Sequence, residues 1–420
     1  MINTIYLWLI LVIAWTGISV ANAQDGLFAD EETVPHEGTM IDSIAVADSI
    51  GVEWPQRLET RLQELLEHEM FQTSQVGLMV YDLTADSLLF QHNGHQVMRP
   101  ASTMKLVTAI TAIDCLGGSF RFITELRYTG SVDNKTLTGA LYCKGGFDPL
   151  FNRDDLRAFV ESIRQMGVDT IRGQIVADKS LKDGNLLGEG WCWDDDNPVL
   201  SPLLISGKDE FTERFMLALS EAGLVVEADT LTGITPSDAF FICSRFHTID
   251  QVLIPMMKDS DNLFAEALFY RIAAIAGTSY ATARHARDII QHAISKAAPA
   301  SKRFRIADGS GLSLYNYLTP AIEVALLRYA YRNSNIYLHL FPTLPVAGED
   351  GTLKSRMKNS FAHGNVWAKT GTLVGVSSLA GYAQASNGHL LCFSIMNQGL
   401  MHTRNGRSFQ DRVCSALCEP

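Results

Sequence analysis

The distribution of strand-like segments along the chain restricts its fold more than any other feature. Segments rich in β-branched and other apolar residues lie near the carboxyl end, at residues 366–372, 377–385 and 390–396. A strand-like pair near the amino end precedes a strongly apolar helical run at residues 102–116. An early helix followed much later by an antiparallel meander predicts an α/β domain that is split by an inserted segment.

The composition excludes several classes of protein. Lysine and arginine number 34 against 46 aspartates and glutamates, which gives a net charge of −12. An acidic chain without a basic stripe is a poor nucleic-acid binder, so no nucleic-acid partner is expected. Only the amino-terminal stretch is apolar enough to span a membrane, which argues against a multi-span transporter.

The amino terminus predicts export. Residues 1–24 carry no charged side chain, and an apolar run ends at Ala21-Asn22-Ala23, which predicts a signal peptide over residues 1–23. The alternative is an uncleaved anchor, since the stretch is just long enough to span a bilayer. After cleavage, no stable transmembrane segment is expected. Residues 24–53 are acidic and predict a flexible leader.

A serine and a lysine at the start of the apolar helix predict a nucleophile and its base. Ser102 and Lys105 are three residues apart, so a helix places them on one face. A serine hydroxyl needs a nearby base, and a lysine acts as a base only when burial or a second cation such as Lys369 lowers its pKa. A second Ser-x-x-Lys, at Ser355, has no long apolar helix after it and favours a solvated face.

Two further motifs follow in order. Ser260-Asp261-Asn262 separates two helical stretches, so a loop there can present a hydroxyl and an amide to a cleft. Lys369-Thr370-Gly371 lies on a predicted strand, where the charge and hydroxyl suit a carboxylate and the glycine lets a peptide approach the strand. Each motif alone has an ordinary structural explanation, as a helix cap or a solubilising edge lysine. The occurrence of all three motifs in this order is hard to explain by chance.

With these motifs the sequence resembles the D-alanyl-D-alanine carboxypeptidase/endopeptidase group of low-molecular-mass class C penicillin-binding proteins, peptidase family S13. The likeness covers about residues 54–415. Its main segments are Arg99-Pro100-Ala101-Ser102-Thr103-Met104-Lys105, Gly146-Phe147-Asp148-Pro149-Leu150, Lys258-Asp259-Ser260-Asp261-Asn262-Leu263, Asp308-Gly309-Ser310-Gly311-Leu312-Ser313 and Ala368-Lys369-Thr370-Gly371-Thr372-Leu373.

The resemblance implies a fold and a reaction. The fold is of the β-lactamase/transpeptidase type, an antiparallel sheet flanked by helices, with one smaller inserted α/β domain. The reaction is hydrolysis of D-Ala-D-Ala bonds in peptidoglycan stem peptides by a serine D,D-carboxypeptidase, with D,D-endopeptidase activity as a further option. The implied partners are stem peptides and β-lactam antibiotics, the implied location is the periplasm or cell envelope, and neither a cofactor nor a metal is required.

The resemblance also implies residue roles. The nucleophile would be Ser102, the base Lys105 and the proton relay Ser260. The implied substrate-binding residues are Asn262, Lys369, Thr370, Gly371, Thr372 and Asp148. Among them, Thr370 would hold the terminal carboxylate, and the backbone N–H groups of Ser102 and Thr372 would form the oxyanion hole. Asp148 would meet the amine of the peptide's diamino acid.

Predicted domain boundaries follow from the same likeness. Residues 54–140 and 206–418 form the D,D-peptidase domain, and residues 141–205 form the inserted domain. Relatives of this group commonly carry two inserts before the Ser-x-Asn motif. The second insert is absent from this sequence.

Two alternatives remain open. The first is a serine β-lactamase, which uses motifs of the same kind. Class A enzymes also have a Glu-x-x-Leu-Asn type of segment, which activates the deacylating water, and this segment is missing between Lys105 and Ser260. A catalytically inert cell-wall binding protein would keep the fold without the reaction. A metal hydrolase is poorly supported, because His68-Glu69 lacks the second histidine of a zinc motif.

Overall fold

The computed structural model describes residues 53–194 and 196–420. The predicted signal peptide and all of the predicted acidic leader except Glu53 lie outside the described residues. The strands are β1 (Gln75–Asp82), β2 (Ser87–His92), β3 (Arg121–Asp133), β4 (Thr136–Lys144), β5 (Thr170–Asp178), β6 (Val225–Thr232), β7 (Phe240–Thr248), β8 (Val366–Leu373), β9 (Val376–Gln384) and β10 (Leu390–Gln398). The α-helices are α1 (Trp54–Leu66), α2 (Met104–Leu116), α3 (Arg153–Gln165), α4 (Phe211–Glu221), α5 (Ile249–Lys258), α6 (Asn262–Ala274), α7 (Ala283–Ala297), α8 (Pro320–Arg332), α9 (Ser334–Leu340) and α10 (Thr403–Cys418).

The first sheet joins the two ends of the described chain. Its strand order is β2-β1-β10-β9-β8, and every pairing is antiparallel. The register of β1 against β10 runs from Gln75 opposite Gln398 to Asp82 opposite Leu391. The predicted late meander and early hairpin are therefore confirmed as one sheet. Strand β8 lies at its edge. Residues 345–347 pair with the outer side of its first residues, and the outer side of its later residues has no strand partner in the described part of the chain.

Helix α2 forms the centre of the interior on one side of this sheet. Every residue from Met104 to Ile113 is buried, as expected for a helix that is apolar around its whole circumference. It packs against α5, α6, α7, α8 and α9. On the opposite face of the sheet, α1 and α10 cover a second apolar core. This arrangement places Lys105, in the first turn of α2, inside the protein.

The helix predicted over residues 102–116 begins later than expected. Ala101–Thr103 forms a 3-10 turn, and α2 starts at Met104. The hydroxyl of Thr103 donates to Pro100 O at 2.8 Å, and Ala101 has a φ of +50°. These local constraints tighten the first turn. Ser102 consequently lies on a compact turn that leads directly into the buried helix.

The second sheet mixes parallel and antiparallel pairs. Its order is β6-β5-β4-β3-β7, with β4, β5 and β6 parallel to one another. Helices α3 and α4 connect these parallel strands and bury their apolar faces against the sheet. The sheet takes β3, β6 and β7 from outside residues 141–205, so it extends beyond the segment expected to form an insert. The proposed domain boundaries stay a prediction.

Candidate active site

Ser102 and Lys105 meet at the base of a cleft. The Nζ atom of Lys105 lies 3.1 Å from Ser102 Oγ, 2.7 Å from Asn262 Oδ1 and 2.9 Å from the backbone oxygen of Ser310. The lysine side chain is fully buried, whereas Ser102 lines the cleft. The first two predicted motifs therefore meet at one nitrogen atom.

The partners of Lys105 suit an uncharged amine. Asn262 Oδ1 and Ser310 O can only accept hydrogen bonds, so together they occupy two N–H bonds of the amine. A neutral lysine keeps one lone pair, and Ser102 is the remaining neighbour that can donate a proton to it. The geometry thus directs the Ser102 proton toward Lys105, as a nucleophile and its general base require.

Burial sets the proton affinity of Lys105. Desolvation lowers the pKa of this amine to about 8, and the charges of Asp308, Glu266 and Asp261 act in the opposite direction. From the sequence, either burial or a second cation such as Lys369 was expected to lower this pKa. Burial is the main cause for Lys105. Burial also lowers the pKa of Lys369, and repulsion from Lys105 adds to that effect.

The pH dependence of acylation tests this assignment. Below a pKa of about 8 most Lys105 is protonated and cannot accept the Ser102 proton. We expect the second-order rate of acylation by benzylpenicillin to rise about tenfold per pH unit below this value and to level off above it. Acylation reactions that are quenched at set times between pH 6 and 9 give this rate as a function of pH. A rate that stays constant over this range would contradict the assignment of Lys105 as the base.

Ser260 and Lys369 form a second pair beside the first. Lys369 Nζ donates to Ser260 Oγ at 2.8 Å and to Thr370 O at 2.8 Å. Ser260 lines the cleft, while the Lys369 side chain is fully buried. Because Ser260 Oγ accepts a hydrogen bond from Lys369, its own proton can be donated to a group in the cleft.

The loop that carries Ser260 is formed by a break between two helices, as predicted. Helix α5 ends at Lys258 and α6 begins at Asn262. Ser260 has a φ of +63°, and Asp261 caps α6 by accepting from Leu263 N at 2.8 Å. A cap of this type contributes about 1 kcal/mol to helix stability. The break lets Ser260 and Asn262, two residues apart, reach different lysines.

The outer edge of β8 provides backbone donors to the cleft. Ala368 N donates outward to Pro345 O at 3.0 Å, so by the alternation of a strand the N–H groups of Thr370 and Thr372 also point outward. Thr370 and Thr372 both line the cleft. The Thr372 N–H is therefore oriented as an oxyanion-hole donor requires.

Gly371 brings β8 close to the nucleophile. A Cβ atom at this position would lie 2.1 Å from Ser378 Oγ, 2.7 Å from Pro100 O and 2.9 Å from Ser102 N. No side chain fits there without separating the strand from the turn that carries Ser102. The glycine of the third motif is thus explained by the close approach of two backbones.

A buried carboxylate organises the loop that contacts Lys105. Glu266 Oε1 accepts hydrogen bonds from Gly309 N at 3.1 Å and Ser310 N at 2.8 Å. Burial raises the pKa of Glu266 to about 8. Sequence reasoning assigned no role to Glu266 or to Ser310. Their only signal was membership in segments that resemble the family.

The cleft has a volume of about 400 Å³ and takes its walls from several elements. Its lining residues are Ser102, Ser260, Thr352, Ser355, Arg356, Thr370, Thr372 and Arg407. Thr370 Oγ1 donates to Thr352 Oγ1 at 2.9 Å. The sequence analysis missed Thr352, Arg356 and Arg407 as cleft residues, and it placed Ser355 on an ordinary solvated face. Arg407 lies on α10 outside any motif, and Arg356 lies in a bend within the second Ser-x-x-Lys, so neither carried a sequence signal for such a position.

Asp148 lies apart from the lining residues of the cleft. It is buried, accepts from Leu150 N at 3.0 Å and lies 2.8 Å from His247 Nδ1. Burial raises the pKa of Asp148, and its hydrogen bond raises the pKa of His247. Its carboxylate therefore stabilises a turn and contacts a histidine side chain. Its expected contact with a diamino acid stays a prediction.

Comparisons with known proteins agree with the motifs. The sequence profile of the D-Ala-D-Ala carboxypeptidase 3 (S13) family matches residues 58–203 and 204–417. A D-alanyl-D-alanine carboxypeptidase of Actinomadura sp. (strain R39) is 28% identical, and the match covers 85% of this chain and 84% of that protein. The D-alanyl-D-alanine carboxypeptidase DacB of Haemophilus influenzae is 24% identical, and the match covers 78% of this chain and 86% of that protein.

A solved structure shares the fold. The crystal structure of penicillin-binding protein 4 from Haemophilus influenzae superposes with a TM-score of 0.77 at 22% identity, and the match covers 85% of this chain and 98% of that one. A second structure of that protein, complexed with a β-lactam, gives a TM-score of 0.71 at 23% identity. The predicted fold class, an antiparallel sheet flanked by helices with a smaller α/β part, is confirmed.

Proposed function

The chain belongs to the D-Ala-D-Ala carboxypeptidase 3 (S13) family of serine carboxypeptidases, and we propose that it cleaves D-Ala-D-Ala bonds of peptidoglycan stem peptides through an acyl-enzyme on Ser102. The observation that carries this assignment is the contact of Lys105 with Ser102 at 3.1 Å in a buried environment. This pair supplies a nucleophile and a base of suitable pKa in an open cleft.

Acylation begins at the penultimate D-alanine. Ser102 Oγ attacks the carbonyl carbon of that residue while Lys105 Nζ takes the hydroxyl proton. The carbonyl oxygen becomes an oxyanion, which the N–H groups of Ser102 and Thr372 stabilise. Ser260 gives its proton to the leaving amine and is reprotonated by Lys369. The proton gained by Lys105 and the one lost by Lys369 leave the charge of the site unchanged as D-alanine departs.

Hydrolysis then restores the enzyme. Proton exchange with solvent first leaves Lys105 neutral and Lys369 protonated, as they were before acylation. A water molecule then attacks the acyl carbonyl while Lys105 takes one of its protons, the bond to Ser102 Oγ breaks, and Ser102 Oγ receives that proton from Lys105. A β-lactam follows the same first step, but its leaving nitrogen stays attached to the acyl group after ring opening. The tethered nitrogen continues to occupy the cleft, so we expect the penicilloyl-enzyme to persist.

The cleft favours a peptidase over a β-lactamase. Rapid hydrolysis of a penicilloyl ester requires a positioned general base for water, which in class A β-lactamases is a glutamate. The lining residues of the cleft include six hydroxyl side chains and two arginines but no carboxylate. Glu266 is buried and does not line the cleft, and its Oε1 accepts hydrogen bonds from two backbone N–H groups. This composition supports slow deacylation.

The proposed location is the periplasm or cell envelope, where peptidoglycan stem peptides are found. The predicted signal peptide over residues 1–23 supports export. In the part of the chain that the structure describes, none of the helices has the length and apolar character needed to span a bilayer.

Release of D-alanine from a defined peptide tests the function. We expect the purified enzyme to release one D-alanine from diacetyl-L-Lys-D-Ala-D-Ala and none from the matching L-Ala-L-Ala peptide. Prior incubation with benzylpenicillin should block the release. An unchanged D-Ala-D-Ala peptide after long incubation would contradict the peptidase. Repeated destruction of benzylpenicillin by the same sample would favour the β-lactamase instead.

A further inference from the structure

Helix α10 contributes one residue, Arg407, to the lining of the cleft. The same helix also contains Arg404 and Arg412, and its one acidic residue is Asp411. The chain as a whole is acidic, with a net charge of −12. The excess of arginine on this helix therefore favours an anionic group in the cleft that Arg407 lines.

The other arginine that lines the cleft, Arg356, is already paired. Its Nε and Nη2 atoms lie 2.9 Å and 2.6 Å from Asp411 Oδ1, and Nη2 also donates to Gln410 Oε1 at 3.2 Å. A further bond of 3.2 Å joins Nη2 to the backbone oxygen of Arg407. Arg356 consequently fixes the first turns of α10 and has little charge to offer a ligand.

The backbone of Arg407 is held in place from the opposite side as well. The neighbouring Gly406 is buried against Leu400 and Ser377, where a Cβ atom would lie 2.7 Å from Leu400 Cδ1. Gln410 Nε2 donates to Ser377 Oγ at 3.0 Å, which ties α10 to β9. The position of the Arg407 backbone is thus determined by buried contacts, while its side chain is exposed and lines the cleft.

The guanidinium of Arg407 is available to bind a ligand in the cleft. Across residues 53–194 and 196–420, its guanidinium has no hydrogen bond or ion pair with a protein group. Lys369, the cation expected from the sequence to attract a carboxylate, donates to Ser260 Oγ and Thr370 O from a fully buried position. The remaining side chains that line the cleft, apart from Arg356, carry hydroxyl groups.

We propose that Arg407 binds the α-carboxylate of the leaving D-amino acid and makes the enzyme selective for substrates in which that carboxylate is free. A guanidinium offers two parallel N–H donors that match the two oxygens of a carboxylate. The hydroxyl pair of Thr370 and Thr352 lines the same cleft and supplies neutral donors. This inference rests on the proposed function, because it concerns the same site and the same leaving group.

A substrate pair with and without the carboxylate tests the inference. The substrates are diacetyl-L-Lys-D-Ala-D-Ala and its carboxyl-terminal amide, which differ only in the charge at the leaving residue. We expect the wild type to prefer the acid. Arg407→Gln should lower kcat/KM for the acid by about 10- to 100-fold and leave the value for the amide nearly unchanged.

A matched variant controls for the loss of one positive charge. Arg404 lies on the same helix and is exposed, but it does not line the cleft. Arg404→Gln should keep the preference of the wild type for the acid. Arg407→Lys should restore part of that preference, because it keeps the charge but not the paired donors. Thermal unfolding of all variants verifies that they are folded.

The possible results separate this inference from the proposed function. An acid-to-amide ratio that is the same in Arg407→Gln and in the wild type would overturn the role of Arg407, even though D-alanine is released. An equal loss on both substrates would overturn it too, since the carboxylate would not be the group that is bound. Failure of the wild type to release D-alanine from either peptide would overturn the proposed function itself.

Discussion

Replacing Ser102 with alanine is expected to abolish peptide hydrolysis while the protein stays folded. The substitution removes the oxygen that forms the acyl-enzyme, and no other cleft hydroxyl lies beside Lys105 Nζ among its contacts. Loss of a serine nucleophile in a comparable hydrolase lowers kcat by about 10⁴- to 10⁶-fold, and we expect a loss in that range. Release of D-alanine from diacetyl-L-Lys-D-Ala-D-Ala is the measurement.

A second serine substitution supplies the control for this experiment. Ser295 lies on α7 and is exposed, and its hydroxyl donates within its own helix to Gln291 O at 2.8 Å. Ser295→Ala should hydrolyse the peptide at the rate of the wild type. Retention of more than about one hundredth of the wild-type rate by Ser102→Ala would exclude Ser102 as the nucleophile.

Replacing Lys105 with methionine is expected to have nearly as large an effect. Methionine keeps much of the apolar stem that α2 buries but cannot accept a proton. Asn262 Oδ1 and Ser310 O then lose a donor, at a cost of about 1–3 kcal/mol in stability for each acceptor left unpaired. We expect acylation by benzylpenicillin to slow by about 10³-fold or more.

The second Ser-x-x-Lys motif offers a matched lysine for comparison. Lys358 is exposed and lies three residues after Ser355, so Lys358→Met makes the same chemical change at the same motif spacing. This variant should be acylated at the wild-type rate. The double variant Ser102→Ala/Lys105→Met should be no less active than Ser102→Ala, because the two residues act as one unit. Additive losses in the double variant would contradict a shared proton transfer.

Local patterns in the sequence predicted the parts of the fold that depend on few distant contacts. The strands between residues 366 and 398 were predicted closely because each is a short apolar run bounded by turn residues. The apolar character of α2 similarly predicted its burial. The start of α2 was predicted too early, because the 3-10 turn at Ala101–Thr103 also depends on a distant contact, in which the Thr103 hydroxyl lies 2.6 Å from Glu323 Oε1.

The site contacts and strand pairings that were not predicted from the sequence are those between residues far apart along the chain. Lys105 meets Ser310 O across 205 positions, and only the folded loop around Glu266 brings that oxygen into range. Arg407 lies on a helix with no recognisable motif, and its position depends on the packing of α10 against β9. The second sheet gathers strands from residues 121–248, which local periodicity cannot pair. The burial of Asp148 beside His247 also depends on a contact between residues that are far apart in the sequence.

The mass of the protein after incubation with benzylpenicillin tests the central claim most directly. Digestion of the adduct and mass measurement of the peptides would locate the modified residue. A gain of one drug mass on the peptide that contains Ser102, absent from Ser102→Ala, is the expected result. An adduct on a different residue, or equal labelling of the wild type and of Ser102→Ala, would contradict the assignment of Ser102 as the nucleophile.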